Sequence, residues 1–316
     1  MWGKRGRNYN TKLLTIVSYL AIVVVAVVVV VVVVVAAGGG VVQAAYAWNF
    51  DADGDWGCST RAAETVKKIQ SQSPERVLAL GDLSYQSTAD CWFNLINPFI
   101  SKTRIAIGNH DDTSSTLLNQ YLDRFHMNHQ YHAFDYSNAH FLILSTEQVS
   151  SSTQLSFAKK DLAAAAADSG TDWIIVMMHR PLYTSPNLHG AEAAMRDKYH
   201  PLFDQYGVDL VLYGHNHSYE RSYPLKYDKV SPSSPIIASK ETTTYATDPK
   251  GPIFMTIGTG GQSLYDYSGK ASYIIKQQDD RFGFLDVSIS GTHLRAKYFT
   301  INSDSIVVAD TFTITK

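Results

Sequence analysis

The residues that could do chemistry in this chain stand directly after short apolar runs, where strands would end. The run Val77-Leu78-Ala79-Leu80 leads into Gly81 and Asp82, and Tyr85 follows three residues later. Gly81 allows a tight turn, and open α/β sheets place their ligand sites at the carboxyl ends of strands. A carboxylate with a phenol beside it suits a hard, oxygen-seeking cation. One Gly-Asp pair is more often a simple turn, so the inference needs further clusters of the same kind.

Four further polar clusters repeat this arrangement, each after its own apolar run and before a turn. Their key members are Asp55, Asn109, His179, and His215 with His217. If the strands share one sheet, all of these groups converge at its carboxyl edge. Together with Asp82 they supply two carboxylates, one amide and three imidazoles. That donor set fits two metal ions about 3.5–4 Å apart, bridged by one carboxylate, which is a recognised hydrolytic site.

The elements that must position these groups follow from the hydrophobic pattern. Strands are predicted at 48–55, 77–80, 105–107, 131–136, 140–144, 173–178 and 208–213, with helices at 60–70, 154–167 and 191–206. Residues 226–250 are predicted to form a surface loop. Strands at 253–257, 282–289, 293–299 and 305–314 follow with few helices between them. The order predicts a βαβ start and an antiparallel end around one core.

The N-terminal segment predicts a membrane anchor. Residues 1–12 carry four basic residues and no acid, and residues 13–37 are uncharged and rich in valine. As a helix, 13–37 would span the ~30 Å hydrocarbon core, and the basic segment would stay cytoplasmic. Ala45-Tyr46-Ala47 resembles a cleavage site, so a cleaved signal that releases the domain is the alternative. The chain thus divides into an anchor and linker, 1–47, and an outward-facing domain, 48–316.

Composition excludes several classes of function. The 316 residues carry a formal net charge of −2, which gives no electrostatic reason to expect nucleic acid as a partner. Two cysteines cannot build a disulfide-rich scaffold or a cysteine-type zinc site. Cys58 and Cys91 follow loops that would leave adjacent strand ends, so we expect them to form a disulfide in an oxidising compartment. Two free buried thiols are the alternative.

The ordered set of motifs resembles the calcineurin-like metallophosphoesterase superfamily and, within it, the purple acid phosphatase branch. The five motifs stand as Asp55-Trp56-Gly57, Gly81-Asp82-Leu83-Ser84-Tyr85, Gly108-Asn109-His110-Asp111, Val176-Met177-Met178-His179 and Gly214-His215-Asn216-His217. The flanking segments 179–183, 219–222 and 257–261 also look like this branch. The resemblance covers residues 48–314, and a five-part ordered match is far more specific than any one of its pieces.

The resemblance implies an α/β fold, a four-layer αββα sandwich with a dinuclear metal site at strand carboxyl ends, here preceded by one transmembrane helix. The first metal, usually Fe(III), would be held by Asp55, Asp82, Tyr85 and His217. The second, which would be Fe, Zn or Mn, would be held by Asp82, Asn109, His179 and His215. The tyrosine ligand distinguishes this branch from the protein Ser/Thr phosphatases. The acidic residues Asp51 and Asp53 depart from the apolar first strand that the family usually shows.

Three further residues are candidates for catalysis on the basis of the resemblance. His110 would contact the phosphate or protonate the leaving oxygen, with Asp111 orienting it. A hydrogen-bonded turn histidine is the alternative for His110. His189 stands where plant-type enzymes carry a further site histidine.

The expected function is hydrolysis of a phosphate ester substrate, as in an acid phosphatase, by a metal-bound hydroxide. A phosphodiesterase or nucleotidase with the same site is an alternative. An inactive, membrane-anchored surface domain is a second alternative, which the complete ligand set disfavours. Two local patterns are decoys. Gly258-Thr259-Gly260-Gly261 precedes no helix that could cradle phosphate, and the glycosylation pattern at Asn216 lies inside a metal motif, where we expect it to be buried.

Overall fold

The structure is a computed structural model that describes residues 47–303 and 305–316. The described residues all belong to one compact unit, Tyr46–Lys316. The predicted anchor at 13–37 and the basic segment before it lie outside the described residues. Within the described ranges no helix combines the length and the apolar character needed to cross a bilayer.

Short strands and helices alternate through the first two thirds of the described chain, and strands dominate the remainder. The strands are β1 Trp48–Asp53, β2 Arg76–Ala79, β3 Thr103–Ile105, β4 His132–Tyr136, β5 Ala139–Ile143, β6 Trp173–Met177, β7 Leu210–Tyr213, β8 Tyr219–Lys226, β9 Ile236–Ile237, β10 Thr244–Tyr245, β11 Ile253–Ile257, β12 Ile274–Gln278, β13 Gly283–Ser290, β14 His293–Asn302 and β15 Ser305–Thr315. The helices are α1 Thr60–Gln72, α2 Asp90–Ile96, α3 Ser115–Arg124, α4 Ser152–Ala167 and α5 Ala193–Tyr206, with a 3-10 turn at Asn97–Lys102 after α2.

The strands form two mixed sheets. The first has the order β10-β15-β14-β13-β1-β2-β3 and the second has the order β12-β8-β11-β7-β6-β5-β4, with β9 paired to β8. β1, β2 and β3 are parallel, which confirms the predicted βαβ unit. β5, β6, β7 and β11 form the parallel part of the second sheet, whereas β13, β14 and β15 are antiparallel as expected.

Three buried clusters hold the layers together. One lies between the sheets and includes Phe50 and Phe141, whose rings meet edge to face at 5.5 Å. A second joins α4 and α5 to the outer face of the second sheet, and a third joins α1, α2 and α3 to the outer face of the first. The layers therefore run helices, sheet, sheet, helices. The predicted single core is wrong, because two helix-covered sheets have three apolar interfaces.

The strands before the polar clusters are divided between the two sheets of the αββα sandwich that the resemblance implied. β1, β2 and β3 belong to the first sheet, whereas β6 and β7 belong to the second. The carboxyl ends of both parallel segments nevertheless meet at one edge of the sandwich, as the contacts in the next subsection show.

Helix α1 illustrates how local sequence sets the elements around the site. The Ser59 side chain accepts a hydrogen bond from the Ala62 amide and starts the helix directly after the loop that carries Asp55. Ala62, Val66 and Ile69 are buried at the spacing predicted for one helix face. The helix ends at Ser73 in the left-handed region, with φ 55°.

The sequence pattern missed α2, α3, β8 and β12. Helix α2 has seven residues and no side-chain cap, so it lacks a start signal. Strand β8 carries the polar run Glu220-Arg221-Ser222 yet is buried, because these side chains have partners in the facing sheet, in a neighbouring loop and on the adjacent strand. Arg221 forms a bidentate ion pair with Asp310 at 2.6 and 2.9 Å. Periodicity cannot detect a buried strand whose polar residues are paired in this way.

The acidic residues of β1 are buried. Asp53 Oδ1 accepts hydrogen bonds from the amides of Gly54 and Thr259 at 3.0 and 3.1 Å. Asp51 lies opposite Asp286 on β13, and burial together with that neighbour raises the pKa of Asp51 well above its ordinary value. Burial therefore favours a protonated Asp51 in this strand.

Cys58 and Cys91 form the predicted disulfide, with their Cα atoms 5.9 Å apart. The bridge ties the loop after β1 to the start of α2. The prediction of a disulfide is therefore confirmed over the alternative of two free thiols.

Candidate metal centre

The first sheet carries oxygen donors into the site. Asp55 follows β1 and Asp82 follows β2, and both carboxylates are buried. Between β2 and Asp82, Gly81 adopts φ +89°, and a Cβ there would lie 2.6 Å from Nδ1 of His179. Gly108 is equally constrained, since its Cβ would lie 2.2 Å from Oδ1 of Asp82. Glycine at both positions lets the two loops approach each other and the histidine.

The predicted ligands include an unusual number of strained residues. Nine non-glycine residues of the described chain have positive φ, and four of them are predicted ligands: Asp55 at 59°, Asp82 at 53°, Tyr85 at 55° and His215 at 69°. Such conformations cost of order 1 kcal/mol or more each and persist where the surrounding structure enforces them. Their concentration in this cluster indicates a functional site.

Tyr85 lies where the donors of both sheets meet. Its hydroxyl is 3.1 Å from Asp55 Oδ1, 3.1 Å from Asp82 Oδ2 and 2.9 Å from His217 Nε2. A phenol has one proton to donate, so it cannot satisfy three acceptors at once.

Asp111 fastens the two loops that carry the first-sheet donors. Its carboxylate accepts three backbone hydrogen bonds, from the amides of Asp82, Leu83 and Gly108 at 2.8–2.9 Å. No hydrogen bond joins it to the His110 side chain in the described residues. The structure therefore gives Asp111 a positioning role for the loops, where the sequence predicted that it orients His110.

The second sheet carries nitrogen donors, and backbone carbonyls hold two of its rings. His179 follows β6 and places Nδ1 2.8 Å from the Leu80 carbonyl oxygen. His217 follows β7 and places Nδ1 2.7 Å from the Ser263 carbonyl oxygen. Each carbonyl accepts a hydrogen bond from the facing Nδ1, so Nε2 is the ring atom that both histidines turn toward the site, where it offers a lone pair when the ring is neutral.

Contacts across the two sheets bring these groups together. His179 Nε2 lies 3.3 Å from Asp82 Oδ2 and 3.3 Å from His215 Nδ1. His217 Nε2 lies 3.4 Å from Asp55 Oδ1. The His215 amide donates to Asp55 Oδ2 at 2.7 Å. Candidate ligand atoms of Asp82, His179 and His215 all lie within 4.8 Å of one another.

The electrostatics of the site depend on which groups stay neutral. Burial and the neighbouring His179 lower the pKa of His215 to about 2, so its ring keeps a lone pair even in acid. Burial opposes a charge on His179, but Asp82 outweighs it and raises the pKa of His179 to about 10. Burial and the Asp55 and Asp82 carboxylates raise the pKa of Tyr85 far above its ordinary value. A phenolate at this position would therefore need a cation beside it.

The donor set fits metal cations. Oxygen and nitrogen donor atoms of two carboxylates, one phenol and three rings converge within a few ångströms, and the Tyr85 hydroxyl has one proton for its three partners. Asn109 Oδ1 is buried without a hydrogen-bond partner in the described residues. A buried carbonyl oxygen without a donor, next to such a cluster, is what an oxygen-binding cation would satisfy.

Three aromatic rings cover ligand rings at the rim. The His110 ring lies tilted against Tyr85 with ring centroids 4.3 Å apart, and its Nε2 lies 3.9 Å from Asp82 Oδ2. His189 stacks on His215 at 4.3 Å, so both predicted rim histidines lie beside the cluster. Tyr265 stacks on His217 at 4.0 Å.

Sequence reasoning missed Tyr265. It lies in the loop after β11, four residues past Gly261, and its amide donates to the His217 carbonyl at 2.9 Å. The sequence did contain a signal for it, because Tyr265 lies in a loop that follows an apolar strand and two glycines, as the loops of the predicted ligands follow apolar strands.

The two decoys have structural roles. Asn216 is fully buried, as expected, and its amide donates to Thr184 Oγ1 at 2.9 Å. Gly258 permits close packing, since a Cβ there would lie 2.1 Å from the Asn216 carbonyl oxygen.

The sequence matches the family described as calcineurin-like phosphoesterase over residues 51–219, more than half of the chain. The chain therefore belongs to the calcineurin-like phosphoesterase family, in agreement with the fold and the site. The match begins in β1 and ends at the start of β8, so it includes all five motifs.

Within the family, the chain is similar to purple acid phosphatases. It is 27% identical over 252 residues to purple acid phosphatase 23 of Arabidopsis thaliana, which covers 66% of this chain and 51% of that protein. It is 30% identical over 271 residues to purple acid phosphatase 1 of Ipomoea batatas, covering 76% and 54%. The fold matches the purple acid phosphatase PPD1 of yellow lupin with a TM-score of 0.72 at 23% identity, covering 86% and 54%. The chain spans about half the length of these relatives.

Proposed function

We propose that this chain is a metal-dependent phosphoric monoester hydrolase of the acid phosphatase type. The observation that carries the proposal is the Tyr85 hydroxyl, which lies within 3.1 Å of donor atoms of Asp55, Asp82 and His217. This convergence joins oxygen donors of one sheet to a nitrogen donor of the other at a single point.

Two metal ions fit this donor set. Asp55, Asp82, Tyr85 and His217 would hold the first, and Asp82, Asn109, His179 and His215 would hold the second. Phenolate favours Fe(III) at the first position, and the second is Fe, Zn or Mn. Asp82 would bridge them, because it contacts Tyr85 through the same oxygen that faces His179.

The bound cations would supply an activated water and charge stabilisation for the phosphoryl oxygens. The chain's own residues position the ester and manage its proton. His110 lies exposed at the rim, where its Nε2 can donate to the leaving oxygen. His189, which stacks on His215, would contact the phosphoryl group, and burial lowers its pKa.

The proposal is tested by metal analysis and absorption spectroscopy of the purified protein, combined with phosphatase assays. Iron-loaded protein should contain two metals, absorb visible light by phenolate-to-iron charge transfer and prefer monoesters to diesters. Tyr85→Phe keeps the ring and removes the oxygen, so the visible band should disappear while metal stays bound through the remaining ligands. Activity should fall by roughly 10–100-fold, the scale for a lost metal-site contact.

Tyr265→Phe is the matched control, since it makes the same chemical change at a rim tyrosine that is not a proposed ligand. It should keep the band. A colourless iron-loaded protein, or a Tyr85→Phe variant that keeps the band, would contradict the role of Tyr85. A clear preference for diesters would favour the phosphodiesterase alternative.

We also propose that the domain is extracytoplasmic and is held by an anchor at 13–37. The Cys58–Cys91 disulfide supports this location, because such bridges persist in oxidising compartments. Protease added to intact cells should remove the domain and leave the anchored segment behind. Full protection of the domain would exclude the proposed orientation, and a domain found wholly in the medium would favour cleavage near Ala47.

A further inference from the structure

A large cleft opens at the edge of the sandwich, between the outer strands of the two sheets. β3 ends the first sheet and β4 ends the second, and residues of both line a cavity of about 910 Å³. We call it the edge cleft. Cavities of ~300–1,000 Å³ are the usual size for small-molecule sites. None of the proposed metal ligands lines it.

The edge cleft contains positive charge without a counter-charge. Arg104 projects from β3 and Arg124 stands at the rim, and within the described ranges neither guanidinium lies within 4.0 Å of a carboxylate. Arg104 donates one hydrogen bond, to the Thr103 carbonyl, which leaves most of its donors free. The acid that lines the cleft is Asp161, and His140 Nε2 already engages it at 2.8 Å.

The neighbouring groups show the strength of this positive field. Burial and the adjacent Arg76 lower the pKa of Arg104. Burial and Arg104 lower the pKa of His132, also in the cleft, to about 4. Arginine stays protonated in proteins, so the field persists at any physiological pH. The repulsion between Arg104 and the positive groups around it is unfavourable in a half-buried cleft, and a bound anion would relieve it.

The walls of the edge cleft are aromatic. Phe134 stands on β4, with the Arg104 guanidinium 5.1 Å from its ring centroid. Phe134 is itself fixed by parallel stacking on Phe141 at 4.6 Å. Phe157 of α4 and Tyr131 lie on another side, 5.3 Å apart. Because Arg104 and Phe141 already lie against the Phe134 ring, the aromatic wall left for a planar ligand is that of Phe157 and Tyr131.

We propose that the edge cleft is a second ligand site, which binds a small aromatic anion with its acidic group at Arg104 and Arg124 and its ring against the aromatic wall of Phe157 and Tyr131. The acidic group is a carboxylate, sulfonate or phosphate, since all three accept from guanidinium donors. The site is separate from the metal centre, so it binds ligand without hydrolysing it.

The test is calorimetric titration of the full chain, loaded with metal and saturated with inorganic phosphate so that the metal centre is occupied. The probe is 1-naphthalenesulfonate, with 2-naphthol as the uncharged comparison. We expect one bound sulfonate per chain, with at least tenfold higher affinity than the naphthol. Arg104→Gln and Arg124→Gln should each weaken binding about tenfold. Arg295→Gln, on β14 and outside the edge cleft, is the matched control and should leave the affinity unchanged.

Thermal unfolding without ligand separates a binding role from a structural one. An arginine that binds ligand leaves repulsion unrelieved in the free protein, so Arg104→Gln should unfold at the same or a higher temperature. An arginine that only supports Phe134 should lower the unfolding temperature when replaced. Absence of one-to-one binding, equal affinity for the naphthol, or undiminished binding in both arginine variants would overturn the proposal.

Discussion

The two sheets contribute different chemistry to the proposed metal centre. Loops of the first sheet bring the oxygen donors, Asp55, Asp82, Tyr85 and Asn109, and loops of the second bring the nitrogen donors, His179, His215 and His217. Neither half contains a complete ligand set for either proposed metal. The site therefore exists only where the two sheets pack, and anything that separates them removes it.

The ligands from the first sheet (the first half of the site) and those from the second sheet (the second half) are also held in place by different means. In the first, the backbone is constrained: three ligands have positive φ, Asp111 accepts three loop amides, and a disulfide closes the loop after Asp55. In the second, rings are fixed singly by carbonyl oxygens, and buried Glu220 accepts the Ser185 amide at 2.9 Å. We expect perturbation of the first half to affect both metals and perturbation of the second to be more local.

The largest effect should come from Asp82→Ala, which removes the proposed bridging ligand between the two metals. Both metals should be lost, and kcat/KM should fall by at least about 10³-fold, the scale for losing a major transition-state stabiliser. Metal analysis and phosphatase assays on the folded variant measure this. Asp123→Ala, an exposed aspartate of α3, is the control and should keep both metals. Normal metal content in the Asp82 variant would rule out the bridging role.

Removing the disulfide tests the constraint on the first half. The bridge closes a sequence separation of 33 residues, so Cys58→Ser with Cys91→Ser should lower the free energy of unfolding by roughly 3–4 kcal/mol. Urea unfolding of metal-loaded wild type and double variant gives the difference. Thiol titration of the denatured, unreduced wild type should find no free thiol. An unchanged urea midpoint would show that the bridge does not constrain the unfolded chain in the expected way.

Glu220 gives the corresponding test in the second half. Burial raises the pKa of Glu220 from its ordinary 4.5 to about 7, although the Ser185 amide opposes this. The folded state therefore holds the proton more strongly, and this stabilisation is full below pH 4.5 and lost as the pH rises through 7. Relative to Glu220→Gln, the free energy of unfolding of the wild type should fall by up to roughly 3 kcal/mol as the pH rises across that range.

Urea unfolding at several pH values from 4 to 8 measures the Glu220 effect as a difference between the two proteins, so other titrating groups cancel. Exposed Glu241→Gln is the control and should track wild type at every pH. Parallel curves for wild type and Glu220→Gln would show that Glu220 has an ordinary pKa in the folded protein.

The sequence predicted which residues come together at the candidate site better than it predicted the architecture around them. Asp55, Asp82 and His179 were found because each follows an apolar run that ends in a turn, and this signal is local. The hydrophobic runs alone did not give the division into two sheets, because they do not state which strands pair; the αββα sandwich came from the resemblance. For the same reason the edge cleft, formed by β3 and β4 from different sheets, has no signature in the sequence.

Residue roles that depend on distant contacts were also missed or misassigned. Asp111 was assigned to the adjacent His110, whereas its partners are amides 3, 28 and 29 residues away. Tyr265 was overlooked because its stacking partner, His217, is distant in the chain. Chain order gives the donors of a site, whereas only the folded backbone gives the contacts that orient them.

The smallest effect should come from Tyr265, which belongs to neither half as a ligand but stacks on His217 with ring centroids 4.0 Å apart and an interplanar angle of 14°. The ring is half-buried and forms a wall with His189, 5.5 Å away, beside exposed Leu188. Because the Tyr265 ring contributes contact area without charge, Tyr265→Ala should weaken substrate binding by about 1 kcal/mol. We expect this as a KM increase of about fivefold for an aryl phosphate, with kcat within about twofold.

Comparison with Tyr265→Phe distinguishes a wall for substrate from a support for His217. The phenylalanine keeps the stacked ring, so its KM and its visible spectrum should both match wild type. If Tyr265 mainly supports His217, Tyr265→Ala should instead lower kcat and shift the iron absorption band, because the ligand ring would lose its fixed orientation. If Tyr265→Ala raises KM and leaves the absorption band unshifted, Tyr265 contacts the substrate. The histidines alone would then hold metal in the second half.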